Sequence, residues 1–191
     1  MTEFCIVRHG QTDWNLEGRY QGQSDVSLNP TGFAQAQALA QRLRNERFDA
    51  IYTSDLARAR ETANAIADFH TGLSVQVDIR LREINQGQWE GVLVETIRTH
   101  YAELWQQRSS DPANVRAPGG ETVGEVKQRV SAALDEIADC YPAGRVLIVS
   151  HGLALATILC QVRGVPVGLA YQQIPENADP IWITWPVPTQ P

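Results

Sequence analysis

The chain has 191 residues, 43% of them hydrophobic and 20% charged, with a formal net charge of −6; this fits one globular domain over residues 1–191 that needs neither disulfides nor structural metal. Charges of both signs are scattered, so no basic stripe marks a nucleic-acid or anionic-membrane binder, and any anion site must be a local pocket. No run of about eighteen apolar residues reads as a membrane span, and Met1-Thr2-Glu3 leads into the first apolar run without a signal peptide's basic and apolar regions. Cys5, Cys140 and Cys160 are odd in number and widely spaced among apolar residues. They read as free buried thiols, and the cytoplasm is the expected compartment.

The first element is Phe4-Cys5-Ile6-Val7, a continuous apolar run of the kind found in strands buried on both faces. It stops abruptly at Arg8-His9-Gly10. Asn29 and Pro30 mark a helix start, as cap and first residue, with Ala34, Ala38, Leu39 and Leu43 as the apolar stripe. Asp49 to Thr53 reads as a second strand. Ser54 is positioned to cap a helix from about Asp55 to Phe69, with a stripe of Leu56, Ala59, Ala63 and Ile66. Ser74 to Val77 is a weaker strand, Leu81 to Gly91 an irregular glycine-rich segment, and Val94 to Gln107 a helix. Ser109 to Gly120 is a loop, and Thr122 with Glu125 forms a capping box for a helix to about Tyr141. Arg145 to Ser150 holds the strongest strand signal, a helix from Leu153 to Val162 follows, and Ile181 to Trp185 reads as a last strand. Alternating strands and helices predict an α/β fold, a three-layer α/β/α sandwich on a mostly parallel sheet.

Ligands in such sheets bind beyond the carboxyl ends of the strands. Two strands end in His-Gly pairs, His9-Gly10 and His151-Gly152, and a third leads into Arg58 in the first turn of a helix. With Arg8 these side chains are expected to form a cationic cup facing one crevice. A single histidine at a strand end is more often a hydrogen-bonded structural residue; two such ends with two arginines change the reading. The histidines lack the spacing of a metal site, and arginines beside them would repel a cation. No GK[ST] glycine-rich loop is present, which excludes a P-loop NTPase. The cup suits a phosphoryl group, whose transfer depends on positioning and electrostatics. A neutral His9 can attack phosphorus if its other ring nitrogen donates to a backbone carbonyl. Glu83, in the glycine-rich segment where a carboxyl can be partly desolvated and hold a proton, is the candidate acid.

Arg8-His9-Gly10 with Asn15 resembles the RHGxTxxN signature of the histidine phosphatase superfamily, also called the phosphoglycerate mutase-like family. The similarity continues in order through Tyr20 to Asp25, Leu28 to Gly32, Thr53 to Ala63, Leu81-Arg82-Glu83, Gly87 to Gly91, Gly119 to Thr122 and Val149 to Gly152. The resemblance implies that His9 carries the phosphoryl group while Arg8, Arg58 and His151 bind its oxygens. It further implies that Asn15 and the Gly152 N–H complete the pocket, Gln21 and Gly22 line its entrance, and Glu83 exchanges protons with the leaving alcohol and then with water. No metal and no cofactor are implied.

Cofactor-dependent mutases of this family carry a longer basic insertion between the acid loop and the GGE block. Here Ile84 to Pro118 contains only the isolated Arg98, Arg108 and Arg116. The expected activity is therefore a metal-independent phosphatase acting on small phosphorylated metabolites of the phosphoserine, alpha-ribazole phosphate, phosphoglycerate or sugar phosphate type. The alternatives are mutase activity, a phosphoprotein phosphatase and a non-catalytic phospho-ligand module. Trp89, Tyr101, Trp105 and Arg116 are candidates to select the alcohol, with ordinary packing the alternative, above all for the tryptophans; Arg116 is a candidate partner for a substrate carboxylate or, equally, a solvated loop arginine. The tail from Gln172 to Pro191 departs from the family's Asn-[Ala/Thr]-Ser pattern at Asn177-Ala178-Asp179, so no tail contacts are carried over. A small phosphorylated metabolite is the expected partner, without nucleic acid or membrane; a homodimer stays open.

Overall fold

A computed structural model describes residues 1–186. One five-stranded sheet runs in the order β3-β2-β4-β1-β5, built from β1 (Thr2–Arg8), β2 (Ala50–Thr53), β3 (Val75–Val77), β4 (Arg145–Ser150) and β5 (Pro180–Trp185). The β1–β4, β2–β4 and β2–β3 pairs are parallel, and β5 is antiparallel to β1. The expected mostly parallel sandwich is the observed fold.

Helices cover both faces, which explains the unbroken apolar strands. Phe4, Ile6, Val146 and Ile148 pack under α6 (Val123–Cys140) and α7 (Gly152–Val162). Cys5, Val7, Leu147 and Val149 pack under α2 (Pro30–Leu43) and α3 (Ala57–Ala67). Among the described residues no single helix is long and apolar enough to cross a membrane. The apolar helix α7 is instead buried in the core.

Several local expectations hold. Asn29 caps α2 through a bond from the Gly32 N–H, with Pro30 at its first position, and the Thr122–Glu125 capping box starts α6. Others change. The buried stripe of α2 is Gly32, Ala36, Leu39, Ala40 and Leu43, and Ala34 and Ala38 face solvent. Cys140 is exposed rather than buried. The helix expected from Val94 to Gln107 is two, α4 (Val94–His100) and α5 (Ala102–Ser110), broken where Tyr101 leaves helical geometry. The break lets Ile97 from α4 and Leu104 and Trp105 from α5 gather around the buried Trp89. Ser54 does not cap α3, whose cap position is Leu56; its hydroxyl is engaged elsewhere. A short helix α1 (Asp13–Glu17), begun by a Thr12–Asn15 capping box, was not expected.

Candidate active site

Register aligns the two His-Gly strand ends. Arg8 pairs with Ser150 across β1 and β4, so the next residues, His9 and His151, leave the sheet side by side with ring centroids 5.2 Å apart. Gly10 follows because the chain turns hard against α2: a Cβ there would stand 2.5 Å from the Gly32 carbonyl oxygen. The turn is held by the Gly10 N–H donating to Thr62 Oγ1 and by Asn177 Nδ2 donating to the His9 carbonyl.

His9 is buried, and its Nδ1 lies 2.6 Å from its neighbour's carbonyl, Gly10 O. A carbonyl only accepts, so Nδ1 carries the hydrogen and Nε2 keeps the lone pair. Burial first, then the positive charges of Arg58 and Arg8, hold the His9 imidazole well below its ordinary pKa. The ring is neutral at neutral pH, the state a nucleophilic imidazole requires.

The surrounding cavity is about 140 Å³, with Arg8, His9, Asn15, Arg58, Glu83 and Gly152 in its wall. Gln21 and Gly22 line it as well. His151 is fully buried and adjoins His9 without being part of the cavity wall, a difference from the expectation that both imidazoles face the crevice. Its Nε2 lies 2.7 Å from Ser54 Oγ, and its Nδ1 has no partner. Burial, then Arg58, then His9 hold His151 well below its ordinary pKa, so it too is neutral at neutral pH.

Arg58 is buried from its place in the first turn of α3, donating from Nη1 to Ser24 O and from Nη2 to Gly22 O. Burial lowers its pKa to about 10, opposed by Glu83, Asp25 and Glu90, which leaves it charged at neutral pH. Arg8 donates to Pro175 O, and burial likewise lowers its pKa against the pull of Glu83 and Glu176. The Nε atoms of both guanidiniums are buried without partners. Two cations, Arg58 buried and Arg8 half-buried, with unmet donors on one small cavity form an acceptor for a doubly charged anion.

Glu83 stands at the start of α7, taking the Leu153 and Ala154 N–H groups as well as that of Ile84. The Gly152 N–H, the first of the helix, has no protein acceptor among the described residues, and Gly152 lines the cavity. Asn15 Oδ1 accepts from the Thr12 backbone and hydroxyl, so its oxygen is fixed locally while the side chain borders the cavity.

The sequence reading missed the residues that hold this constellation. Arg129 of α6 donates to the carbonyls of Arg80, Arg82 and Glu83 and is clamped by Glu121, which gives the GGE block its local role. Glu90 accepts from the Gln23 N–H, the Gln86 N–H and the Ser24 hydroxyl, pinning the loop that Arg58 grips. Gln86, Tyr171 and Ile174 also line the cavity. Their positions carry no pattern that distinguishes them from loop residues, though the Gly87–Gly91 block flanks Gln86.

Other expectations are corrected. Arg116 pairs with Glu125 at the surface, donates to Gly120 O and does not line the cavity. Trp89 is fully buried, packed on Tyr20, Tyr101 and Trp105, and serves the core. The tail does reach the site: Asn177 holds the His9 carbonyl, the Ala178 N–H donates to Arg8 O, and Ile174 lines the cavity. Residues 187–191 of that tail lie outside the described residues. Among the described residues no three His, Cys, Asp or Glu side chains gather as a metal site.

The profile of the histidine phosphatase superfamily (branch 1) matches residues 4–186. The protein named "Probable phosphoglycerate mutase GpmB" of Yersinia pestis (strain Pestoides F) is 39% identical over 166 residues, 87% of this chain and 77% of that protein. Among solved structures, a mycobacterial glucosyl-3-phosphoglycerate phosphatase complexed with VO3 is similar with a TM-score of 0.85 and 31% identity, over 95% of this chain and 90% of that one. A variant of the phosphoserine phosphatase of Entamoeba histolytica, in complex with phosphoserine, is similar with a TM-score of 0.83 and 26% identity, over 97% and 92%.

Proposed function

The chain belongs to the histidine phosphatase superfamily (branch 1), and we propose that this phosphatase hydrolyses small phosphorylated metabolites through a phosphohistidine on His9, without a metal ion. The observation that carries the reading is the His9 Nδ1 bond to Gly10 O, which leaves Nε2 as the free ring nitrogen in a cavity walled by Arg8, Arg58 and Glu83. The relatives named for phosphatase action on glucosyl-3-phosphoglycerate and phosphoserine support small phosphomonoesters as the substrate class.

In this mechanism the phosphate dianion enters between Arg8 and Arg58 and takes the Gly152 N–H. A dianion beside the neutral His151 favours uptake of a proton by that ring, and Glu83 is the proton donor of the next step. His9 Nε2 attacks phosphorus in line as the ester P–O bond breaks, and Glu83 gives its proton to the departing oxygen. The arginines and the His151 imidazolium stabilise the charge on the peripheral oxygens. Water then attacks phosphorus, the N–P bond breaks, and Glu83 takes the water's proton. Phosphate, the alcohol and the starting enzyme result.

A mutase reading is favoured by the 39% identical relative's name. It requires the phosphohistidine to be kept from water until a second hydroxyl arrives. Against it, the 84–118 segment is short, and its Arg98 and Arg116 pair with Glu95 and Glu125 at the surface and are not in the cavity wall. The deciding experiment is phosphate release from phosphoserine, 3-phosphoglycerate, alpha-ribazole phosphate, sugar phosphates and p-nitrophenyl phosphate, with EDTA present and His9→Ala in parallel. Release that persists in EDTA and vanishes in His9→Ala is expected. Complete loss in EDTA, restored only by a divalent ion, would overturn the metal-free mechanism; isomerisation of phosphoglycerate faster than release would favour the mutase.

A further inference from the structure

A second cavity, of about 350 Å³, adjoins the phosphate pocket; Tyr20, Trp105, Arg108, Pro112, Leu169 and Tyr171 are in its wall. Tyr20 and Tyr171 line both cavities. The second is the larger and mostly apolar, and among the described residues Arg108 of α5 is the one charged side chain lining it.

Arg108 is only 4% exposed. Its guanidinium lies 5.9, 5.2 and 5.8 Å from the ring centroids of Tyr20, Trp89 and Tyr171. Nη2 donates to Tyr171 Oη at 2.6 Å, and Nε is buried without a partner. Every other arginine of the 84–118 segment is paired with a carboxylate, whereas Arg108 forms no ion pair among the described residues. Aromatic faces attract a cation, but they replace neither the hydration lost on burial nor a counter-ion. A planar donor fork held on three rings with unmet donor capacity suits a carboxylate.

We propose that the second cavity is a subsite for the alcohol part of the substrate and that Arg108 receives a carboxylate borne by that alcohol. The proposal rests on the phosphatase reading of the adjoining pocket. With phosphate between Arg8 and Arg58, the alcohol passes between Tyr20 and Tyr171 and lays its carbon skeleton on Trp105, Pro112 and Leu169. The substrate class is thus a phosphomonoester whose alcohol is bulkier than the phosphate itself and carries a carboxylate. Arg108 is a specificity residue and takes no part in phosphoryl transfer.

The test compares two pairs of compounds on the full chain: 4-carboxyphenyl phosphate against its neutral carboxamide for hydrolysis, and the matching benzylphosphonates for calorimetric binding. Wild type is expected to favour the carboxylate by about tenfold or more in kcat/KM and in affinity. Arg108→Met is expected to remove that preference and Arg108→Lys to keep part of it. Equal treatment of the two by wild type, or an undiminished preference in a folded Arg108→Met, overturns the subsite. Because the wild-type comparison needs no variant, misfolding of Arg108→Met leaves the test intact. Absence of hydrolysis of every ester, p-nitrophenyl phosphate included, would instead defeat the phosphatase reading, and the phosphonate pair would still read the subsite.

Discussion

Ser54 Oγ lies 2.7 Å from His151 Nε2, although 97 residues separate them in the chain. Ser54 also receives the Leu56 N–H, so its oxygen has a fixed place between α3 and the end of β4. In the proposed mechanism an imidazolium at His151 donates from Nε2 to Ser54, and its charge acts on the phosphate from beside His9. Ser54 is therefore a positioning residue, and Ser54→Ala is expected to lower kcat/KM by about tenfold, the size of one buried hydrogen bond. The pH profile separates orientation from packing: the variant's acid limb should move, while unfolding in urea changes by about 1 kcal/mol or less. A large loss of stability with an unmoved profile would make the role structural.

Stability should fall in mild acid. Burial, with Arg58 and Arg8, depresses His9; burial, with Arg58 and His9, depresses His151; burial depresses His70. Each pKa is lower in the folded chain than its ordinary 6.5, so the unfolded chain binds more protons below that value. The stability is present above about pH 6.5 and is lost as pH falls toward the folded values. Thermal midpoints from about pH 7.5 to 5.5 should decline, and His9→Gln should flatten the decline. A flat wild-type curve would show that the rings are not held neutral.

Glu83→Gln keeps the shape of the side chain and removes the proton it would give the leaving oxygen. Alkyl phosphates, whose leaving groups need that proton, should slow by roughly 10²–10⁴-fold, and p-nitrophenyl phosphate by much less. Equal slowing of both would assign the acid elsewhere. Arg129→Met, which frees the Glu83 main chain from α6, should show the same leaving-group dependence in weaker form.

Gly22 has a φ of +53°, and a Cβ there would lie 2.2 Å from Glu90 Oε1. Gly22→Ala therefore strains the backbone and pushes away the carboxylate that pins Gln23, Ser24 and Gln86. A cost of about 1–3 kcal/mol is expected. Since Gly22 O and Ser24 O hold Arg58, KM should rise along with it, which urea denaturation and steady-state kinetics will measure. An unchanged KM at reduced stability would uncouple the loop from the arginine.

The helices whose starts carry local signals were readable one by one: Asn29-Pro30 and Thr122 with Glu125 satisfy free N–H groups within a few residues of themselves. Val94 to Gln107 was misread because the break at Tyr101 answers to Trp89, a partner outside that segment. Ser54 was read as a cap because a serine before a helical stripe has that local meaning. The actual partner, His151, arrives only with β4.

The sequence by itself determined the strands, their order along the chain and the residue types at their ends, because burial on both faces writes an unbroken apolar run and the reactive side chains follow directly. It also carried Arg8, His9, Arg58, Glu83 and His151 as the set to be brought together. Tertiary structure alone decided that Arg8 and Ser150 stand level, that Glu83 meets α7 across 70 residues of chain, and that Asn177 returns across 168 to hold His9. It also decided that Arg116 is paired with Glu125 while Arg108 is sealed among rings. Both are isolated arginines in one segment. Their difference comes from which neighbours packing delivers, and a charge's partner is set by distance in space, for which separation along the chain gives no measure.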